Sequence, residues 1–448
     1  MKPEKFFNTT GPCDPEKHYM LPAEDRLVGA SLGRYIKNEL YWVLHAPRQT
    51  GKTTFLQGWM HEINSGEEAI ACYVSAERCQ GISEAEPCNR ALCDAIIEYA
   101  KHFLAPEFIP PSPKSGVLSM LSEILISWSE LCAPKPLVVL FDEVDVIQDH
   151  AMISFLRQLR GGFAARGIGK FPVSIALVGM RDLRDYLVKS KDGVAINPGS
   201  PFNIKQSSAS LVNFNADDVI NLYSQHSKAT GQVFQEEAVQ AIFDLTRGQP
   251  WLVNSIAQKC HWELCKDGET ITLAHVRQAK EMLIRERAVH LESLAERLKD
   301  PRVHRVVEAV ITGTGETILT RDDDDVRLSM DLGLVDWTSA DGFVISNPLY
   351  REIIARVLSS PWHDTMPLPQ FQWKNPDGTL NIKALLLEFQ DFWSQYADVW
   401  EEKADYTEAF PHLLLMAFLQ RVVNGGGRIE REFAAGRGRV DLAVQYGG

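Results

Sequence analysis

Ala46-Pro-Arg-Gln-Thr-Gly-Lys-Thr-Thr54 follows directly on Glu39-Leu-Tyr-Trp-Val-Leu-His45 and runs into Phe55-Leu56 and Trp59-Met60. The stretch before it is rich in aromatic and branched residues and predicts a buried strand. The apolar residues after it fall at helical spacing. Strand, loop and helix around Gly-Lys-Thr are the context that a G-x-x-x-x-G-K-[ST] phosphate loop requires. Such a loop surrounds phosphate with successive backbone N–H groups, and the helix N-terminus adds a partial positive charge. On this reading Ala46, Pro47, Arg48, Gln49, Thr50, Gly51, Lys52, Thr53 and Thr54 line the phosphate site. Lys52 reaches the β- and γ-phosphates and Thr53 ligates Mg2+ through its hydroxyl. Ala46 stands where the pattern has its first glycine. This is a mild departure, because Gly51 is the position that lets the backbone approach phosphate.

A second block completes the site. Leu137-Val-Val-Leu-Phe141 is an unbroken apolar run, as expected of a central parallel strand covered on both faces. It ends in Asp142-Glu143-Val144-Asp145. Asp142 is placed to hold the Mg2+ shell and Glu143 to polarise an attacking water. Helix capping by Asp142 would explain one carboxylate but not its neighbour. A third strand, Val173-Ser-Ile-Ala-Leu-Val178, leads into Gly179-Met180-Arg181-Asp182. No Asn-Lys-x-Asp motif follows Asp142, which favours adenine over guanine and makes ATP the expected nucleotide. The aromatic stretches Phe6-Phe7 and His18-Tyr19 can stack on the base or pack the sheet edge. Arg157, Arg160 and Arg166 can offer a finger to a neighbouring subunit, or form a solvated helix face.

Composition narrows the class. The chain has 448 residues, 45% hydrophobic and 23% charged, a soluble globular balance with room for about three domains. No apolar run approaches the ~18 residues needed to span a bilayer, and no signal-peptide core opens the chain. The expectation is a cytoplasmic protein without membrane contact. The eight cysteines have no zinc-site spacing, and the net charge of −13 argues against a generally basic, DNA-coating surface.

Residues 215–288 carry a helical pattern interrupted at Thr246-Arg-Gly-Gln-Pro-Trp251. From Phe6 to about Val357 the chain resembles bacterial AAA-like and STAND-like (archaeal-type) P-loop ATPases. The shared blocks are Asn8-Thr-Thr-Gly-Pro12, Ala46 to Thr53, Asp142-Glu143, Gly179-Met-Arg181, Gly248-Gln-Pro-Trp251 and Asn347-Pro-Leu-Tyr-Arg351. The resemblance implies that Arg181 acts as a sensor near the γ-phosphate. It also implies that the helices around Gly248 to Trp251, Pro250 among them, form a lid over the nucleotide. The expected fold class is α/β. A P-loop NTPase parallel-sheet domain (residues 1–205) precedes a helical lid (206–290), a winged-helix module (291–360), a linker (361–378) and a short α+β segment (379–448).

The wing carries Asp322-Asp-Asp-Asp325, four carboxylates that would repel DNA phosphate. It therefore reads as a spacer or protein-contact module. The last segment resembles the start of a PD-(D/E)xK nuclease domain, in which Glu408 and Asp441 help to hold the metal. The expected Glu-x-Lys strand does not follow before Gly448, so a shortened, vestigial or partner-completed fold is implied. The leading expectation is an ATP- and Mg2+-dependent molecular switch that hydrolyses slowly and works through a protein partner or self-association. An ATP-regulated DNase acting in defence against foreign DNA, and a non-hydrolysing ATP-binding adaptor, are the alternatives.

Overall fold

The apolar runs of the first half meet in one sheet. Its strands are β1 (Leu27–Val28), β2 (Tyr41–His45), β3 (Ile70–Ser75), β4 (Leu137–Asp142) and β5 (Ser174–Gly179); a short ladder of β6 (Val188–Lys189) with β7 (Ala195–Ile196) precedes its last strand, β8 (Lys205–Leu211). The order across the six-stranded sheet is β1-β8-β2-β5-β4-β3. The pairs β8–β2, β2–β5, β5–β4 and β4–β3 are parallel, and β1 joins β8 antiparallel. The computed structural model describes residues 5–22, 24–29, 32–114, 119–165, 171–181, 188–189, 195–196, 205–266, 268–286, 294, 296–312, 319–354, 375, 379–387, 389–390, 415, 427–435 and 438–446.

Both faces of the sheet are covered, which is why its strands carry no polar alternation. Side chains alternate from face to face along each strand. Val43, Cys72, Val74, Val139, Phe141, Ile175 and Leu177 share one core. Helices α3 (Ala85–Phe103), α4 (Met120–Cys132) and α5 (Asp149–Ala165) pack on that side. Trp42, Leu44, Ala71, Tyr73, Val138, Leu140 and Ala176 share the other core with α1 (Leu32–Lys37) and α2 (Lys52–Ser65). On α2, Phe55, Leu56, Trp59 and Met60 form one apolar face, and Trp59 meets Trp42 edge-on at 5.6 Å. Strand β3 ends the sheet, and an α2 side chain blunts its edge. Asn64 Nδ2 donates to Ala71 O at 3.0 Å and Asn64 Oδ1 accepts from Ala71 N at 2.8 Å.

The chain divides into two compact units, residues 1–283 with 330–333, and 284–329 with 334–448. Beyond its sheet the first unit adds α6 (Ala216–Thr230), α7 (Glu236–Thr246), α8 (Pro250–Lys259) and α9 (Leu273–Arg285). Helix α6 opens with a capping box. Asn215 Oδ1 accepts from Asp218 N, and Asp218 Oδ2 accepts from Asn215 N, both at 2.9 Å. Helix α7 ends at Thr246, and the two residues after it, Arg247 and Gly248, are left-handed with φ of 48° and 71°, the second a conformation that suits glycine. Pro250 starts α8, where a missing N–H is harmless, and Gln249 caps it by accepting from Leu252 N at 2.7 Å.

In the second unit, the helix Pro301–Thr312 buries Val303, Val306, Val307 and Ile311. The strands Val335–Thr338 and Gly342–Ile345 form an antiparallel hairpin with Phe343 opposite Trp337. The acidic run is not left bare. Arg305 pairs with Asp323 at 2.7 Å and with Asp325 at 2.8 Å, while Arg327 pairs with Asp322 at 3.1 Å. These pairs weaken the charge argument against DNA made from the bare run, because two guanidiniums offset part of the four carboxylates. The strands Gly427–Ala435 and Gly438–Tyr446 form a second antiparallel pair. Among the described residues, no helix is long and apolar enough to cross a membrane.

Candidate functional site

The loop from Ala46 to Gly51 joins the carboxyl end of β2 to the N-terminus of α2. Ligands of open parallel sheets bind outside the carboxyl ends of the strands. The loop's entry is tied down by Ala46 N, which donates to Gly179 O at 3.3 Å at the end of β5. Ala46 is 2% exposed, and its methyl group belongs to the core formed with α2. Thr50 closes the turn by donating Oγ1 to Pro47 O at 2.9 Å. Gln49 and Gly51 take left-handed conformations, with φ of 59° and 95°. The former is a strain of order 1 kcal/mol for a non-glycine residue.

Lys52 Nζ donates to Ala46 O at 2.7 Å and to Pro47 O at 2.8 Å. Burial pushes its pKa down to about 8, against the pull of the Asp142, Asp145 and Glu143 carboxylates. Thr53 Oγ1 donates to Asp142 Oδ2 at 2.7 Å, so the two sequence blocks meet. Asp142 is 1% exposed, and its other oxygen accepts from Glu143 N at 2.9 Å. A hydroxyl beside a carboxylate is an oxygen-only donor set, the chemistry of a hard divalent cation such as Mg2+. Glu143 is left-handed at φ 56°. Desolvation, followed by the charges of Asp142, Glu77 and Asp145, raises its pKa above the usual carboxylate range. That shift makes it a better proton acceptor for water.

Asp145, also raised by burial, lies against Gly179, where a Cβ would come within 3.0 Å of its Oδ1. Arg181 Nε donates to Asp331 Oδ2 at 3.1 Å, and both side chains are mostly buried. Arg157 and Arg160 are exposed on α5; Arg166 and Asp182 lie outside the described residues. So does Glu408, whereas Asp441 is on the strand Gly438–Tyr446. Thr54 turns its hydroxyl to a protein partner, accepting from Cys13 N at 3.0 Å. Pro250 is buried at the start of α8, and its neighbour Gln249 reaches the loop, with Nε2 3.4 Å from Gln49 O.

Two of the N-terminal rings are withdrawn from solvent. Phe7 and Tyr19 are each 1% exposed. Phe7 lies 5.5 Å from the Tyr223 ring and 5.2 Å from His226, both on α6. The rings belong to the helical layer and not to the sheet edge, because Phe7, Tyr19, Tyr223 and Phe234 together close a core that α6 cannot close alone. The backbone beside them forms a strap. Phe7 O, Asn8 O and Thr9 O accept from Gln258, Asn254 and Trp251 of α8 at 3.0, 2.8 and 2.8 Å. Cys13 then reaches α2 through Thr54.

Two side chains at the site carried no sequence signal. Arg26 is 6% exposed; its Nη1 donates to Thr50 O at 3.1 Å and to Val212 O at 2.9 Å. Its guanidinium lies 4.7 Å from the Phe214 ring centre, and burial pushes its pKa down to about 10. Tyr73 Oη donates to Asp142 Oδ2 at 3.2 Å. Gln249, which reaches the loop, lies in the Gly248-Gln-Pro-Trp251 block that the family resemblance singled out. Asn8, in a block that the family resemblance did single out, folds the strap's turn by donating Nδ2 to Gly11 O at 3.2 Å and accepting at Oδ1 from Thr10 N at 3.1 Å.

No protein-family model and no curated protein matches the chain. Among solved structures it is similar to the Walker-type ATPase paby2304 of Pyrococcus abyssi, at 14% identity and a TM-score of 0.52, over 78% of this chain and 99% of that one. Cdc6p of Pyrobaculum aerophilum (14% identity, TM-score 0.39, 74% and 91% covered) and RuvB of Thermotoga maritima (13%, 0.37, 72% and 91%) align more loosely. At these identities the likeness concerns the fold. The chain has the α/β fold of P-loop NTPases, with a largely parallel central sheet.

Proposed function

We propose that the chain binds ATP with Mg2+ at the loop 46–54 and hydrolyses it slowly, as a nucleotide-driven switch of the AAA-like kind. The observation that carries this reading is the 2.7 Å hydrogen bond from Thr53 to Asp142, which unites loop and acidic pair beside Lys52. Thr53 and Asp142 would hold the cation, which when bound neutralises phosphate charge and polarises the terminal phosphoryl group. The loop amides and Lys52 bind and orient the phosphates. Glu143, its basicity raised by burial and by neighbouring carboxylates, takes a proton from the attacking water.

Switching needs the phosphates to interact differently with two arrangements of the protein. Two loop carbonyls already answer to groups outside the loop: Thr50 O to Arg26, which also holds Val212 O, and Gln49 O to Gln249 of the α8 cap. These contacts support a reading in which loop and helical layer move together, with α6 to α9 as the lid and Arg181 as the sensor.

The test compares wild type with Lys52→Ala and Glu143→Gln in ATP binding and phosphate release. The expected result is binding lost in the first variant, and binding kept with turnover abolished in the second. Tight ATP binding by Lys52→Ala would remove the site assignment. Unchanged turnover in Glu143→Gln would remove hydrolysis by this residue.

A further inference from the structure

Asp142 Oδ2 accepts two hydroxyl donors. One is Thr53 Oγ1, on the phosphate-loop helix; the other is Tyr73 Oη, 3.2 Å away on the neighbouring strand β3. Asp142 Oδ1 is held by Glu143 N. Among the described residues, the Tyr73 bond is the side-chain contact that orients the carboxylate from outside the two motifs.

Tyr73 is well placed to act as a fixed point. It is 6% exposed, and its ring meets Tyr99 edge-on at 5.4 Å and Phe103 at 6.1 Å, both on α3. Its backbone N–H points to Met60 Sδ on α2 at 3.3 Å. A phenol hydroxyl can donate, and an ionised carboxylate can only accept, so the bond runs from Oη to Asp142. A ring packed against two aromatic side chains of α3, on a backbone tied to α2, loses little further freedom in holding a carboxylate, and hydrogen bonds to a charged acceptor are the strong ones.

We propose that Tyr73 is a positioning residue, holding Asp142 through Oη in the orientation that receives the divalent cation and so setting the Mg2+ dependence of nucleotide binding. The inference rests on the reading of Asp142 as the cation-holding carboxylate. The competing account is that Tyr73 only fills space between β3, α2 and α3. Phenylalanine fills the same space, so Tyr73→Phe isolates the hydroxyl.

The experiment measures affinity for a fluorescent ATP analogue with excess EDTA and across a Mg2+ titration, in wild type, Tyr73→Phe and Tyr99→Phe. In Tyr73→Phe the Mg2+ concentration for half-maximal effect should rise about tenfold, the change carried by one hydrogen bond to a charged acceptor. Affinity in EDTA should stay at the wild-type value. Tyr99→Phe removes a neighbouring phenol and should leave the Mg2+ midpoint in place. A Tyr73→Phe curve overlying wild type overturns the proposal. So does equal weakening with and without Mg2+, the mark of a purely structural role, or an equal midpoint shift in Tyr99→Phe. Wild type that binds nucleotide without responding to Mg2+ would overturn the cation reading of Asp142 itself, an outcome distinct from those of the variants.

Discussion

The carbonyl oxygen of Phe214 occupies the place where Gly248 would carry a side chain, only 1.8 Å from an ideal Cβ. Phe214 N in turn donates to Gly248 O at 2.9 Å, so the two backbones are locked face to face. Gly231 gives a matched comparison: its φ is 76° against 71° at Gly248, but no atom lies within 4 Å of its Cβ position. Gly231→Ala should cost about 1 kcal/mol for backbone strain alone. Gly248→Ala should cost at least about 2 kcal/mol more, because a carbonyl cannot rotate away as a side-chain end can. Urea denaturation of the two variants measures the difference, and equal costs would mean that the contact yields easily.

Arg26 should link nucleotide affinity to charge geometry. Arg26→Met leaves Thr50 O and Val212 O without their donor and should weaken ATP-analogue binding about tenfold. Arg26→Lys keeps the charge but carries its nitrogen on a different, more flexible stem than the one that sets Nη1 between the two carbonyls, so an intermediate affinity is expected. Equilibrium fluorescence titration distinguishes the three proteins. Equal affinities would restrict Arg26 to a packing role.

Burial raises the Glu308 carboxyl from its ordinary 4.5 to about 7. With the folded value above the unfolded one, the folded protein binds more protons between the two. Stability is therefore fully present below about 4.5 and declines as pH rises to about 7. Glu308→Gln does not titrate. It should melt higher than wild type at pH 8, by roughly 1 kcal/mol, and the gap should close toward pH 4.5. Scanning calorimetry at both pH values checks the sign.

The capping box of α6 gives a local test. Asn215→Ala frees Asp218 N and should cost about 1 kcal/mol. Adding Asp218→Ala should cost less than the sum of the single changes, since the two side chains cap each other. Additive losses in thermal unfolding would mean that the two bonds act independently.

The phosphate loop and the acidic pair were legible because each is contiguous and each follows an apolar strand. The Gly-Gln-Pro turn was legible for the same reason, since glycine and proline mark backbone geometry wherever they occur. Arg26 and Tyr73 were not. Arg26 binds backbone carbonyls, which every residue has, and one of them lies 186 residues away. Tyr73 sits in the wholly buried strand Ile70–Ser75, where a tyrosine chosen to hold Asp142 looks the same as one chosen for packing. Phe7 and Tyr19 suggested base stacking because a flat apolar ring suits a purine and a helical core equally well. Their partners on α6 decided the matter, and no local pattern announces a partner about 200 residues on.

The strap shows how little of its own sequence some of its contacts need. At residues 7–9 the helix α8 grips carbonyl oxygens, using the side chains of Gln258, Asn254 and Trp251. At Cys13 the helix α2 takes an amide, using Thr54. Specific side chains lie on the helices, and the strap contributes mainly peptide groups, with Phe7 as plug and Asn8 as turn former. Related chains can accordingly drift at position 10 while preserving the join between the two helices. Change at 54, 251, 254 or 258 would be confined to substitutions that keep the hydrogen-bonding chemistry.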